Sequence, residues 1–339
     1  NEEFVRVGTR LAVLEMMLGG ITTYADMYYF EHAIAEETKR AGMRAVLGQT
    51  VIGFPAPDYK TPQEALAGTE KFLQAWRGDE LITPAVAPHA IYTNDAGTLK
   101  ACRALADRYG VPVHTHVSET RQENEDARKA HGMTPVRYLD GLGFFAGRTI
   151  LAHMVWADEE DLRLLKGKPA GIAHCPSSNT KLASGVPNYR AWLGSGVPVG
   201  LGTDGPAGSN NDLNLFEEMD LASKLAKVST LDPTILPAEK VFRMATIEGA
   251  KVLGLEKEIG SLEVGKRADM ITVSLSEPHA VPRHDVYSML VYSLKASDVR
   301  DVVIGGRVTV LGGKPQTLDA ARVLREAAAA RARVAASLR

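Results

Sequence analysis

The sequence predicts a parallel (β/α) barrel followed by a small β-rich module, and three observations carry that expectation. Seven short apolar and β-branched runs, at 21–27, 45–52, 82–87, 111–117, 149–155, 170–174 and 197–202, alternate with stretches of helical periodicity. The runs are apolar throughout rather than alternating, as in strands of a parallel sheet covered on both faces by helices. Each strand-plus-helix unit takes about 25 to 30 residues, the repeat of a (β/α) barrel. No Gly-x-Gly-x-x-Gly opens a helix after the first strand, which disfavours a doubly wound dinucleotide fold. Eight-stranded closure needs one more strand, expected ahead of Asn1.

The elements follow in order. Residues 5–18 form an amphipathic run that reads as a helix entered midway through a protein, with an N-terminal segment missing before it. Helical patterns then fall between the strands at 28–41, 62–75, 95–108, 135–140 and 157–165, and two more at 212–226 and 238–253. The texture changes at 260–273, which reads as a turn into a strand. Residues 299–304 and 307–311 read as a hairpin closed by Gly305-Gly306. The Ala- and Arg-rich stretch 318–339 has high helix propensity. The expected organisation is an incomplete catalytic barrel over 1–258, a small β module over 259–315 and a C-terminal helix over 316–339.

Composition excludes several functions. A chain of 339 residues, 45% of them hydrophobic, can bury one large core and a small second module. A net charge of −2 with mixed signs gives no electrostatic case for nucleic acid or an anionic membrane. No apolar run reaches the roughly 18 residues of a membrane span, and no stretch reads as a signal peptide. Cys102 and Cys175, far apart and outside any Cys-x-x-Cys, argue against a disulfide framework and for a cytoplasmic location.

The chemistry-bearing residues gather at strand ends. On the strand 111–117, His114 and His116 are two apart and face one side, and Glu119 follows three residues later. Asp204 follows the strand 197–202 between Gly202 and Gly205, where a carboxylate is costly to bury without a cation or donor. His153 and His174 end two further strands, and His89 follows another. Singly, a strand-end histidine is more often a hydrogen-bonded core residue than a catalytic one, and Asp204 reads equally well as a turn-forming Asp. Together His89, His116, His153, His174 and Asp204 mark the C-terminal ends of five successive strands, the face on which such barrels carry their active sites. His32, His131, His279 and His284 fall on helices or loops and are expected at the surface.

These residues lie in motifs that resemble the amidohydrolase superfamily. The branch is that of 5-methylthioadenosine/S-adenosylhomocysteine deaminases, guanine deaminase-like enzymes and triazine chlorohydrolases. The motifs are Gly20-Ile21-Thr22-Thr23-Tyr24-Ala25-Asp26-Met27, Pro88-His89-Ala90-Ile91-Tyr92-Thr93 and His116-Val117-Ser118-Glu119-Thr120. They continue with the run from His174-Cys175-Pro176 to Ser184-Gly185, with Gly202-Thr203-Asp204-Gly205 and with Asn210-Asn211-Asp212-Leu213-Asn214. Gly260-Ser261-Leu262-Glu263-Val264-Gly265-Lys266-Arg267-Ala268-Asp269 looks like that family's return into a small composite β-sandwich.

The resemblance implies a TIM-like (β/α)8 hydrolase barrel missing its first strand, with the C-terminal part of the sandwich. It implies a divalent metal, zinc or another such as Fe2+, held by His116 and Asp204. Glu119, His153 and Asp204 would be catalytic: Glu119 shuttling a proton to the ring nitrogen, His153 and Asp204 managing the proton of the attacking water. His89, Glu119, His174 and Asn179 would contact a small-molecule substrate. The reaction implied is deamination of an aminopurine nucleoside resembling 5-methylthioadenosine or S-adenosylhomocysteine, releasing ammonia. Residues 45–76 contain no arginine to hold a homocysteine carboxylate, which favours 5-methylthioadenosine of the two. The alternatives are guanine deamination, triazine dechlorination, or a non-catalytic barrel in a larger assembly. A homo-oligomer is expected, as homologous enzymes usually associate.

One departure qualifies this picture. The family's first strand carries a His-x-His pair that supplies two metal ligands, and His114-Thr115-His116 has the sequence context of the fifth strand instead. The parent protein is therefore expected to be active, and this stretch alone to bind metal weakly and to be inactive, because stable zinc sites hold three or four protein ligands.

Overall fold

The computed structural model describes residues 1–337. Strands β1 (Thr23–Tyr28), β2 (Arg44–Val51), β3 (Ile82–Pro88), β4 (Val113–Val117), β5 (Thr149–His153), β6 (Ala170–His174) and β7 (Val199–Leu201) form one parallel sheet in sequence order. Its edges, β1 and β7, do not pair with each other, so the sheet is a (β/α)8-like barrel short of one strand. Burial reflects this: every residue of β2 is buried, whereas no residue of β1 is.

Alternation along the strands sorts side chains between two cores. On β4, Val113, Thr115 and Val117 are buried towards the helices, while His114 and His116 share the opposite face. Parallel register sets His114 beside Ile150 and His116 beside Ala152. Ile150 joins Val46, Ala85 and Val252 in a small interior cluster, a packed floor beneath the histidines. The larger core lies between sheet and helices and includes Leu47, Val86, Val117, Leu151 and Ile172.

The helices differ from expectation in four places. Arg121–His131 is a helix that apolar periodicity does not reveal, because it buries only Glu123, Asn124 and Ala127. Its ends are nonetheless marked by the cap Thr120, which accepts from Glu123 N–H, and by left-handed Gly132. Two short helices, Pro176–Lys181 and Tyr189–Ser195, also escape a pattern search, being under two turns long. The run 238–253 is two helices, Ala238–Met244 and Ile247–Leu253, because Thr246 leaves helical geometry (φ −127°, ψ −104°). That break lets the second helix lie on β6 and β7. There Gly200 admits it so closely that an added Cβ would sit 2.7 Å from Gly249 Cα.

A second, antiparallel sheet of β8 (Met270–Val273), β9 (Val299–Ile304), β10 (Arg307–Leu311) and β11 (Lys314–Pro315) has the order β11-β10-β9-β8. Gly305 and Gly306 turn the hairpin with φ of 58° and 81°, both left-handed as a two-residue turn requires. A buried ion pair ties this sheet to the barrel: Arg44 Nε and Nη2, at the start of β2, donate to Asp269 Oδ2 and Oδ1 at 3.0 and 3.1 Å. The C-terminal helix Ala320–Ser337 packs on the first helix, Glu2–Leu18, where Arg10 pairs with Glu326 and with buried Glu37. The last two residues of the predicted terminal helix lie outside the described residues. Among the described residues no helix is long and apolar enough to cross a membrane.

Candidate active site

The strand ends converge. His116 ends β4, and its Nδ1–H donates to the His89 carbonyl at 2.8 Å, which fixes the ring and leaves Nε2 free. His153 ends β5, and its Nδ1–H donates to Asn179 Oδ1 at 2.9 Å. The other nitrogen of His153, Nε2, lies 3.8 Å from Glu119 Oε2 and 3.8 Å from Asp204 Oδ2. The His116 and His153 rings stack with centroids 5.5 Å apart, and His89 lies 4.8 Å from His116. Residues 116, 119, 153 and 204 therefore form one cluster, with Glu119 and Asp204 still partly open to solvent.

Donors hold the acids in place. Ser178 Oγ–H donates to Asp204 Oδ2 at 2.7 Å and Gly205 N–H to Asp204 Oδ1 at 2.6 Å. Ser184 Oγ–H donates to Glu119 Oε1 at 3.2 Å. The backbone here is strained: Ser118, His153, Met154 and Asp204 are non-glycine residues at φ of 52°, 73°, 54° and 60°. Such conformations cost about 1–3 kcal/mol each and persist where surrounding structure imposes them, most often at functional sites.

Burial favours the neutral form of His116, His89 and His114. It lowers His116, with His153 as the next influence, and lowers His89 to about 4, with His116 next. His114 is lowered to about 3, first by burial and then by His116. Neutral rings present lone pairs, the form that binds metal. Asp26, half-buried on edge strand β1, is raised to about 6, chiefly by loss of hydration and also by the charge of Asp204.

Two expected substrate contacts sit differently from the rest. Asn179 is 2% exposed, and its oxygen holds His153 from behind. His174 is fully buried, edge-on to Tyr189 and Trp192, and shares a 2.9 Å hydrogen bond with the Tyr189 hydroxyl rather than with any acid of the cluster.

The sequence reading missed several supports. Glu123 accepts from the amides of Ser118 and Glu119, and Glu218 from Ser177 N–H and Asn210 Nδ2–H. The Thr120-x-x-Glu123 spacing is a capping-box signature and was the available signal for the first. Ser178 lies within a motif already noted, but its contact with Asp204 spans 26 residues and has no local mark.

His116 Nε2 and Asp204 supply imidazole and carboxylate donors, which suit zinc or iron. Among the described residues no group of three or more His, Cys, Asp or Glu is arranged to hold a metal ion.

The chain matches known proteins in sequence and in fold. The family model of the amidohydrolase family matches residues 1–309. A 5-methylthioadenosine/S-adenosylhomocysteine deaminase of Thermodesulfovibrio yellowstonii is 46% identical over 319 residues, which are 94% of this chain and 72% of that protein. An adenosine deaminase from Xanthomonas campestris with bound zinc superposes with a TM-score of 0.96 at 38% identity, covering 99% of this chain and 76% of that one. The zinc complex of atrazine chlorohydrolase from Arthrobacter aurescens gives 0.90 at 26% identity, covering 97% and 77%. Fold and site together define a metal-dependent hydrolase built on a (β/α) barrel. The chain belongs to the amidohydrolase family, and its chemistry is hydrolysis at carbon–nitrogen bonds.

Proposed function

We propose that the protein deaminates an aminopurine nucleoside, with 5-methylthioadenosine and S-adenosylhomocysteine as the substrates to try first, and releases ammonia. The observation that carries this reading is the pair of 3.8 Å approaches of Glu119 Oε2 and Asp204 Oδ2 to His153 Nε2. The 46% identity to a deaminase named for those two substrates supports the choice of nucleoside. Both cysteines are free and buried, in keeping with a cytoplasmic enzyme.

In this reading His116 and Asp204 belong to the ligand set of a divalent metal. When bound, such a metal supplies Lewis-acid activation of water, bringing its pKa towards neutrality. The chain's own groups then handle protons. His153, oriented by Asn179, turns Nε2 towards the attacking water and takes or steers its proton. Asp204, held by Ser178 and Gly205, accepts that proton at the carboxylate. Glu119, steadied by Ser184, passes a proton to the ring nitrogen beside the carbon that bears the amine, and the proton accepted by Asp204 goes on to the amine, which departs as ammonia when its carbon–nitrogen bond breaks. His89 lies beside His116, where it would meet the purine.

Substitution in the metal-loaded full-length protein tests the assignment. Glu119→Gln removes proton transfer without removing a ligand, and is expected to lower kcat by roughly a hundredfold or more at unchanged metal content. Asp204→Asn is expected to lose activity and metal affinity together. Near-full turnover by Glu119→Gln would refute the proton-shuttle role. Release of chloride from a triazine, with no ammonia from nucleosides, would overturn the substrate class.

A further inference from the structure

Glu123 occupies an unusual place. Its helix, Arg121–His131, starts at the cap Thr120, and Glu123 sits at the position where a capping-box glutamate turns back to the cap's own amide. Here the side chain reaches further. Oε1 accepts from Ser118 N–H at 3.0 Å and Oε2 from Glu119 N–H at 2.7 Å. Both amides belong to the left-handed turn, Ser118 at φ 52°, that carries the chain from β4 into the site. Ser118 is fully buried, and its carbonyl accepts from Trp156 N–H at 2.9 Å, so the turn is held from the β5 side as well.

We propose that Glu123 is the positioning residue for Glu119: its carboxylate clamps the two consecutive amides that aim the Glu119 side chain at His153. The inference rests on the reading of Glu119 as the proton shuttle. Its physical content is preorganisation. A serine in left-handed geometry has an intrinsic cost, and Glu123 offsets it with two hydrogen bonds to one carboxylate in a site 6% exposed. Burial, the largest influence, raises Glu123 to about 7, while the Glu119 and Ser118 amides act in the opposite direction by favouring the ionised form. A group kept there only to cap the helix would have no need to reach beyond Thr120.

Substitution by glutamine separates the role from simple structure. In Glu123→Gln the new side chain keeps one oxygen for one amide and sets an NH2 against the other, so the turn loses half its clamp. The experiment is a double-mutant cycle of Glu119→Gln and Glu123→Gln in the metal-loaded full-length protein. Deamination of 5-methylthioadenosine is read as separate kcat and KM, beside metal content and amide hydrogen exchange at residues 118 and 119. The expected result is a kcat lowered roughly ten- to a hundredfold by Glu123→Gln, with KM and metal content unchanged and faster exchange at the two amides. In the Glu119→Gln background Glu123→Gln should then cost nothing further.

Equal losses in both backgrounds, or an unchanged kcat, would overturn the positioning role while leaving Glu119 as the shuttle. Full activity of Glu119→Gln alone would instead remove the reading on which the inference stands. Where Glu123→Gln weakens folding, the cycle is run with Ser118→Gly added, since glycine takes φ near 52° without steric cost. The same pattern of losses decides it.

Discussion

At the residue scale, the site is built from acids that water no longer fully screens. Glu218 is the clearest case outside the cluster itself. It is 1% exposed, accepts from Ser177 N–H and Asn210 Nδ2–H at 3.0 Å each, and Asn210 passes the contact on to the Thr203 carbonyl at 2.9 Å. Burial raises it to about 7, the Ser177 bonds opposing. In the unfolded chain the same carboxyl titrates near its ordinary 4.5, so between about pH 4.5 and 7 the folded state binds more protons. The contribution of Glu218 to stability is therefore greatest below 4.5 and is lost as pH rises through 7. Glu218→Gln should flatten the fall in urea midpoint between about pH 5 and pH 7.5, and an unchanged slope would mean that other groups set it.

At the scale of elements, the break at Thr246 matters more than either helix it separates. It turns Ile247–Leu253 onto β6 and β7, and the fit depends on Gly200 facing Gly249. Gly200→Ala would force a methyl into backbone and is expected to cost about 1–3 kcal/mol by overpacking. Since β7 leads directly to Asp204, the variant should also bind metal less tightly. Chemical denaturation and metal titration of the one variant check both. Loss of stability with unchanged metal affinity would show that Asp204 is held by Ser178 and Gly205 independently of the strand.

For the whole molecule, the second sheet is fastened to the barrel by charge. The side chains of Arg44 and Asp269, 225 residues apart, are 5% and 4% exposed, and Asp269 Oδ1 also accepts from Gly305 N–H at 2.6 Å. Breaking a buried pair by removing one partner leaves an uncompensated charge, so Asp269→Asn should cost about 3 kcal/mol in unfolding free energy. The distance from the strand ends predicts little change in kcat for the folded fraction. A variant as stable as the parent would show that the β8–β11 sheet is held by its apolar contacts alone.

How much of this the sequence contained is a matter of range. The seven strands, as short wholly apolar runs between stretches of 3.6-residue period, the hairpin at Gly305-Gly306 and the gathering of His116, Glu119, His153 and Asp204 at strand ends are legible in local pattern and strand order, because local backbone geometry fixes both. The polar helix Arg121–His131 was written only in its caps, since it buries almost nothing apolar. The partners that set the chemistry lie beyond any local pattern. Asn179 behind His153, Ser178 on Asp204, Ser184 on Glu119 and Glu123 on the amides of 118 and 119 exist only once separate strand ends are side by side. Sequence alone determined which groups could do the work; the tertiary structure decided which nitrogen, oxygen and amide each of them meets, because hydrogen bonds act over about 3 Å and the chain's periodicities say nothing about distances across a barrel.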